Sequence, residues 1–166
     1  MKPRPSLKAR ALQLLSQREH SPLELRRKLL AHALQAQNSA GGAAPRRTPP
    51  TPETQASVEA LLEWLAAHGL LSEARFLEAR VRTRAARHGN LRIRQELAQH
   101  GLRLAPEEAQ ALQESEFARA REVWARKFAG SAIDAAGRAR QMRFLAGRGF
   151  SSEVIRRVLR GIDDTD

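Results

Sequence analysis

One six-residue pattern ends three segments of this 166-residue chain. It reads Leu65-Ala66-Ala67-His68-Gly69-Leu70, then Leu97-Ala98-Gln99-His100-Gly101-Leu102, then Leu145-Ala146-Gly147-Arg148-Gly149-Phe150. The shared form, Leu-x-x-[His/Arg]-Gly-[Leu/Phe], is a helix stop with a physical basis. Gly takes the left-handed position just past the helix, and the apolar residue after it folds back onto the Leu. His or Arg in the last turn suits the negative end of the helix dipole. A fourth copy, Leu29-Leu30-Ala31-His32-Ala33-Leu34, has Ala where the others have Gly. Ala tolerates positive φ poorly, so that helix is expected to end differently or to run on. A chain punctuated in this way is restricted to a series of short helices.

The stops also set a register. From Leu97 to Leu145 is 48 residues, and from Leu29 to Leu97 is 68, the same 48 plus the 20 residues of segment 34–53. That segment, LQAQNSAGGAAPRRTPPTPE, holds a Gly pair, four prolines and no apolar periodicity, and reads as a flexible insertion. With it removed, His20 lies over His88, Leu25 over Ile93 and Leu29 over Leu97, while a third unit aligns more loosely, with Gln141 at the Leu25 position. Each unit holds three helices. The first covers 7–18, 21–33 and 54–68, the second 72–87, 90–100 and 106–116, and the third 117–129, 133–148 and 151–161. Ser21-Pro22-Leu23-Glu24 is a capping box, Pro106 opens a helix with Glu107 and Glu108 in its first turn, and Phe150 with Ile155 forms a staple around the Ser151 cap. No segment alternates as a strand should. The expected fold is all-α: three tandem three-helix repeats in an elongated, curved array. The first is 1–33 plus 54–70, the second 71–116 and the third 117–162, with an acidic tail at 163–166. Small units of this kind are marginal alone, so neighbours are expected to pack together.

Composition then narrows the function. The net charge is +11, and 25 of the 29 cations are Arg. With no Cys there is no disulfide, thiolate nucleophile or Cys-based zinc site. No apolar run approaches a membrane span, and the first residues lack the apolar stretch of a signal peptide. A cytoplasmic protein with no membrane role is expected. The five His sit at helix ends without His-x-x-x-His spacing, and no Walker-type or nucleophile-elbow motif occurs. The expectation is no enzyme activity, no cofactor and no metal.

The distribution of charge says more than its total. Residues 1–28, 75–94 and 138–160 each carry +6, and 53–73 between them carries −4. Residues 103–122 are also acidic, at −2. Such a surface calls for a repetitive anionic partner. In the helix near 151–161, Val154, Ile155, Val158, Leu159 and Ile162 share one sector of ~140°, and Arg156, Arg157 and Arg160 face away. In the helix near 72–87, Phe76, Leu77 and Val81 mark the buried side. Arg80 and Arg84 project into that sector and are expected to snorkel or to pair with a carboxylate such as Glu96. Arg75 and Arg82 point away. The candidate partner-binding residues are therefore Arg75, Arg82, Arg92 and Arg94 in the second unit, and Arg138, Arg140, Arg156, Arg157 and Arg160 in the third. Trp64 lies off the apolar stripe of its helix and is expected to pack between repeats.

Four stretches, in this order and register, resemble the RecX family. They are Arg18-Glu19-His20-Ser21-Pro22-Leu23-Glu24-Leu25-Arg26-Arg27-Lys28-Leu29, Leu71-Ser72-Glu73-Ala74-Arg75-Phe76 onward to Arg84, Gly89-Asn90-Leu91-Arg92-Ile93-Arg94-Gln95-Glu96-Leu97 with Gly101, and Arg143-Phe144-Leu145-Ala146-Gly147-Arg148-Gly149-Phe150-Ser151. The resemblance implies three tandem three-helix units without catalytic residues. It implies a protein that lies along the RecA nucleoprotein filament and generally inhibits ATP hydrolysis, strand exchange and co-protease activity. Some members of that family also contact DNA. Ala33 and the insertion after it depart from the family pattern and bear on the packing of the first unit. A monomer is expected, with single- or double-stranded DNA contacted through phosphate. The competing reading is a direct DNA-binding module of helix-turn-helix character, since helix pairs ending in Gly with Arg on the second helix can enter a groove. A structural or chaperone-like adaptor is a third class.

Overall fold

The computed structural model describes residues 5–40, 49–129 and 134–163. Met1 to Arg4 and the ends of the acidic tail lie outside them, as does the middle of the insertion, and the side chain of Ile162 is likewise not described. The described residues form nine α-helices: α1 (Leu7–Leu15), α2 (Pro22–Ala40), α3 (Pro52–Ala67), α4 (Glu73–Ala85), α5 (Asn90–Gln99), α6 (Pro106–Glu114), α7 (Glu116–Phe128), α8 (Ala135–Gly147) and α9 (Ser152–Asp163). They fall into two compact units, Met1–Phe76 and Leu77–Asp166, so the second and third repeats share one body.

The three stops form as their residues dictate. Gly69, Gly101 and Gly149 have φ of 67°, 74° and 83°. In each, the apolar residue's N–H returns to the Leu carbonyl: Leu70 to Leu65 at 2.9 Å, Leu102 to Leu97 at 3.0 Å, Phe150 to Leu145 at 3.2 Å. These bonds satisfy carbonyls that a helix end otherwise leaves open. At the fourth copy the absence of Gly has the opposite result, and α2 continues through Ala33 to Ala40.

The insertion is therefore shorter than the sequence suggests at both ends. Residues 34–40 extend α2, and α3 starts at Pro52, capped by Thr51, whose hydroxyl accepts the Thr54 N–H at 3.2 Å. Thr at N-cap with Pro at N1 is a strong start signal lying inside the Pro-rich run. Gln37 donates to the Thr54 hydroxyl at 3.1 Å, which ties the extended end of α2 to the start of α3.

In the first unit, α1 and α3 pack on α2 around Ala11, Leu14, Leu25, Leu29, Val58, Leu62 and Leu65, with Leu71. Trp64 packs against this same cluster, with Lys8 Nζ 3.7 Å from its ring centroid and His68 stacked at 4.1 Å. These contacts all lie within the first unit.

In the second unit, α7, α8 and α9 enclose Ala120, Val123, Leu145, Phe150, Ile155, Val158 and Leu159. The loose alignment at Gln141 has a packing explanation. Leu25, Ile93 and Gln141 are 0%, 1% and 2% exposed, so all three fill an equivalent buried slot. Gln141 fits there because its side-chain oxygen accepts the Trp124 indole N–H at 3.0 Å.

Candidate functional site

The arginines divide into those consumed by the fold and those left facing solvent. Arg80 and Arg84 belong to the first group, as their position in the apolar sector predicts. Glu96 receives both: Arg84 Nη2 donates to Oε1 at 2.9 Å, and Arg80 Nη1 lies 3.3 Å from the same oxygen. Arg75 joins them through its partners, although it stays exposed as its outward-facing position predicts. Its Nε donates to Glu19 at 2.8 Å and its Nη2 to the Gly69 carbonyl at 2.9 Å, so it braces the turn before α4. Arg138 is half-buried and reaches the Leu159 carbonyl at 3.4 Å.

The other candidates are exposed. On α5, Ile93 and Leu97 are buried while Arg92 and Arg94 stand in solvent. On α9, Ile155, Val158 and Leu159 are buried and Arg156, Arg157 and Arg160 are exposed. Arg157 differs from its neighbours, because its guanidinium lies 4.0 Å from the Phe117 ring centroid in a cation–π contact. Arg156 Nε donates to the Ser152 carbonyl of its own helix, at 3.3 Å. Arg82, Arg140 and Arg160 have no acidic partner among the described residues.

A polar junction that the sequence does not announce joins the second and third repeats. Gly89 donates to the Arg148 carbonyl at 3.0 Å, and Leu91 to the Gly149 carbonyl at 3.1 Å. The two turns meet backbone to backbone, which needs both glycines. A Cβ on Gly89 would sit 2.3 Å from the Gly149 oxygen, and one on Gly149 would sit 2.6 Å from Arg92 Cβ. Behind them the buried Glu116 carboxylate accepts the Asn90 N–H at 2.9 Å and the Ser151 hydroxyl at 3.3 Å. Arg119 donates to the His88 carbonyl at 2.8 Å, the Leu112 carbonyl at 2.9 Å and the Asn90 side-chain oxygen. Glu116 reads in sequence as an ordinary first-turn acid. Its role depends on residues 26 and 35 positions away.

A second cluster, in the first unit, surrounds His20. Its Nδ1 is 2.9 Å from the Arg18 carbonyl, and its Nε2 is 3.0 Å from Lys28 Nζ. A lysine donating to Nε2 requires the ring proton on Nδ1, so the imidazole is neutral. Burial lowers its pKa, and the Arg18 and Lys28 charges add to that. Glu24 pairs with Arg18 and Lys28. Burial alone would raise its pKa, but hydrogen bonds from those two cations outweigh it and hold it at about 2. The cluster fastens the α1–α2 turn.

Among the described residues no group of three or more His, Asp or Glu could hold a metal ion, and no helix is long and apolar enough to cross a membrane. The fold and its surface define an all-α helical-repeat protein whose exposed charge is carried by arginine-bearing helix faces.

The family model for the second three-helix domain of RecX matches residues 72–103, and that for the third matches residues 114–159. The chain is 46% identical to a regulatory protein RecX of Ralstonia nicotianae over 161 residues, covering 95% of this chain and 89% of that one. It is 45% identical to a regulatory protein RecX of Herminiimonas arsenicoxydans over 163 residues, covering 97% and 95%. A regulatory protein RecX of Pseudomonas entomophila is 45% identical over 158 residues, covering 92% and 89%. The chain belongs to the RecX family of regulatory proteins.

Proposed function

We propose that this protein regulates the RecA recombinase without chemistry of its own, by binding the RecA–single-stranded DNA filament. Family membership supports the regulatory role. The observation that carries the binding surface is the α9 face, where Arg156 and Arg160 stand exposed without acidic partners among the described residues, on a helix whose other side is core. Surface arginines that the fold does not neutralise are available to acidic protein or phosphate. Several such faces on successive repeats suit a partner that itself repeats. Bridging neighbouring subunits would resist the rearrangement needed for turnover, so the expected effect is inhibition of ATP hydrolysis, strand exchange and co-protease activity.

The test compares RecA ATPase on single-stranded DNA with wild type and with Arg156→Glu/Arg160→Glu. Arg157 is left in place because it packs on Phe117. Weakened inhibition by the double variant is expected, and equal inhibition by both would remove this face from the mechanism. Failure of the wild type to co-sediment with RecA filaments at low salt would refute the filament reading itself.

A further inference from the structure

A cavity of about 280 Å3 opens beside the junction of the second and third repeats, lined by Arg87, Val123, Arg126, Lys127, Phe144 and Arg148. Four of these six side chains are cationic, and no carboxylate lines it among the described residues. Among the described residues Glu122 pairs with Arg126 at 3.4 Å, and both side chains are more than half exposed, so that pair screens little. Two carbonyls just beyond the end of α4 are already occupied by arginines. Arg126 takes Ala86 at 3.3 Å, and Arg119 takes His88 at 2.8 Å.

The cations are also held in place. Lys127 Nζ lies 4.7 Å and the Arg148 guanidinium 5.1 Å from the Phe144 ring centroid, and Phe144 meets buried Phe128 edge-on at 5.3 Å. His88, next to Arg87, has its pKa lowered by burial and then by the charges of Arg148, Arg84 and Arg92. A fixed concentration of like charge, met among the described residues only by the exposed Glu122 pair, is unfavourable unless an anion completes it.

We infer that this groove is a binding site for the phosphodiester backbone of a nucleic-acid strand. Three arginine forks match phosphate oxygens. The volume lies near the lower end of ligand-pocket sizes, enough for one nucleotide unit rather than a folded partner. Val123 and Phe144 give the sugar an apolar floor. What the inference adds to the filament reading is the place of strand contact, beside the junction of the second and third repeats, and it stands or falls on bare strand, without recombinase.

The experiment is a salt titration of the full chain binding a short fluorescent oligodeoxythymidylate. Arg87→Gln/Arg148→Gln should flatten the log–log salt slope by about 1.4, at roughly 0.7 per phosphate contact on single strands. Lys127→Gln, further from the repeat junction, should flatten it by about 0.7. Native far-ultraviolet circular dichroism of each variant separates this from unfolding. An unchanged slope in both folded variants overturns the site. So does competition by polyglutamate equal to that of the oligonucleotide at matched charge, which would mean that phosphate is not what is recognised. Absence of bare-strand binding by the wild type removes the groove assignment, while the ATPase experiment still decides the filament reading.

Discussion

Replacing Gly89 with Ala tests whether the second and third repeats are one body because their turns meet at backbone distance. Gly89 has φ of −80°, which any residue adopts, so the substitution carries no conformational penalty of its own. The cost is steric. The new methyl would lie 2.3 Å from both the Gly149 oxygen and the Phe150 nitrogen, backbone atoms that cannot rotate aside. Relief requires the turns to separate, which breaks the bonds from Gly89 to Arg148 and from Leu91 to Gly149. Each is worth about 1 kcal/mol net, and leaving the N–H of buried Gly89 unsatisfied raises the total to about 2–4 kcal/mol. With a urea dependence of about 2 kcal/mol per molar, the midpoint should fall by roughly 1–2 M. The tryptophans make the assay local. Trp64 lies in the first unit and Trp124 in the second, so urea unfolding in a Trp64→Phe background reports the second unit alone. Gly147→Ala is the internal control. It sits at the end of α8 with nothing within 4 Å of its added Cβ, and should be neutral or stabilise by about 0.5–1 kcal/mol. Equal midpoints for Gly89→Ala and wild type would refute the close-approach argument.

Two further perturbations probe the polar clusters. Glu116→Ala removes a buried carboxylate that holds Asn90 and Ser151 and leaves Arg119 without its charge, so a loss of about 3–5 kcal/mol is expected in the Trp124 signal; less than 1 kcal/mol would show the network to be dispensable. Glu24, held at about 2 against an ordinary 4.5, contributes stability of about 3 kcal/mol that is fully present above pH 4.5 and is lost as pH falls toward 2. His20, with its pKa lowered, acts in the same direction, its contribution being present above about pH 6.5 and lost below as the ring is forced to protonate. Acid titration of Trp64 fluorescence should therefore show a steeper loss in wild type than in Glu24→Gln between pH 4.5 and 2, and parallel curves would contradict the assignment.

Much of the architecture was legible because it is local. A Schellman stop needs one Leu, one Gly and one apolar residue within six positions, and all three glycines adopt the positive φ that pattern demands. Ala33 was legible in the same way, and α2 runs on where Gly is missing. The Thr51-Pro52 cap was hidden by composition, since a Pro-rich run reads as loop until one proline falls at N1. Arg80 and Arg84 could be assigned to Glu96 because all three lie on apolar-facing helix positions, whereas Arg75 could not, because Glu19 lies 56 positions away.

The sequence by itself therefore determined the helices, their stops, the repeat and the family, all of which depend on residues a few positions apart or on a fixed period. Only the tertiary structure decided which arginines are spent and which remain free. An arginine's availability depends on the carboxylate or carbonyl that chain folding brings beside it, as with Glu19 for Arg75 and Leu159 for Arg138. The same holds for the cationic groove. Arg87 follows α4, Arg126 and Lys127 lie in the last turn of α7, and Arg148 caps α8; they converge because Gly89 and Gly149 let two turns approach more closely than any side chain would allow.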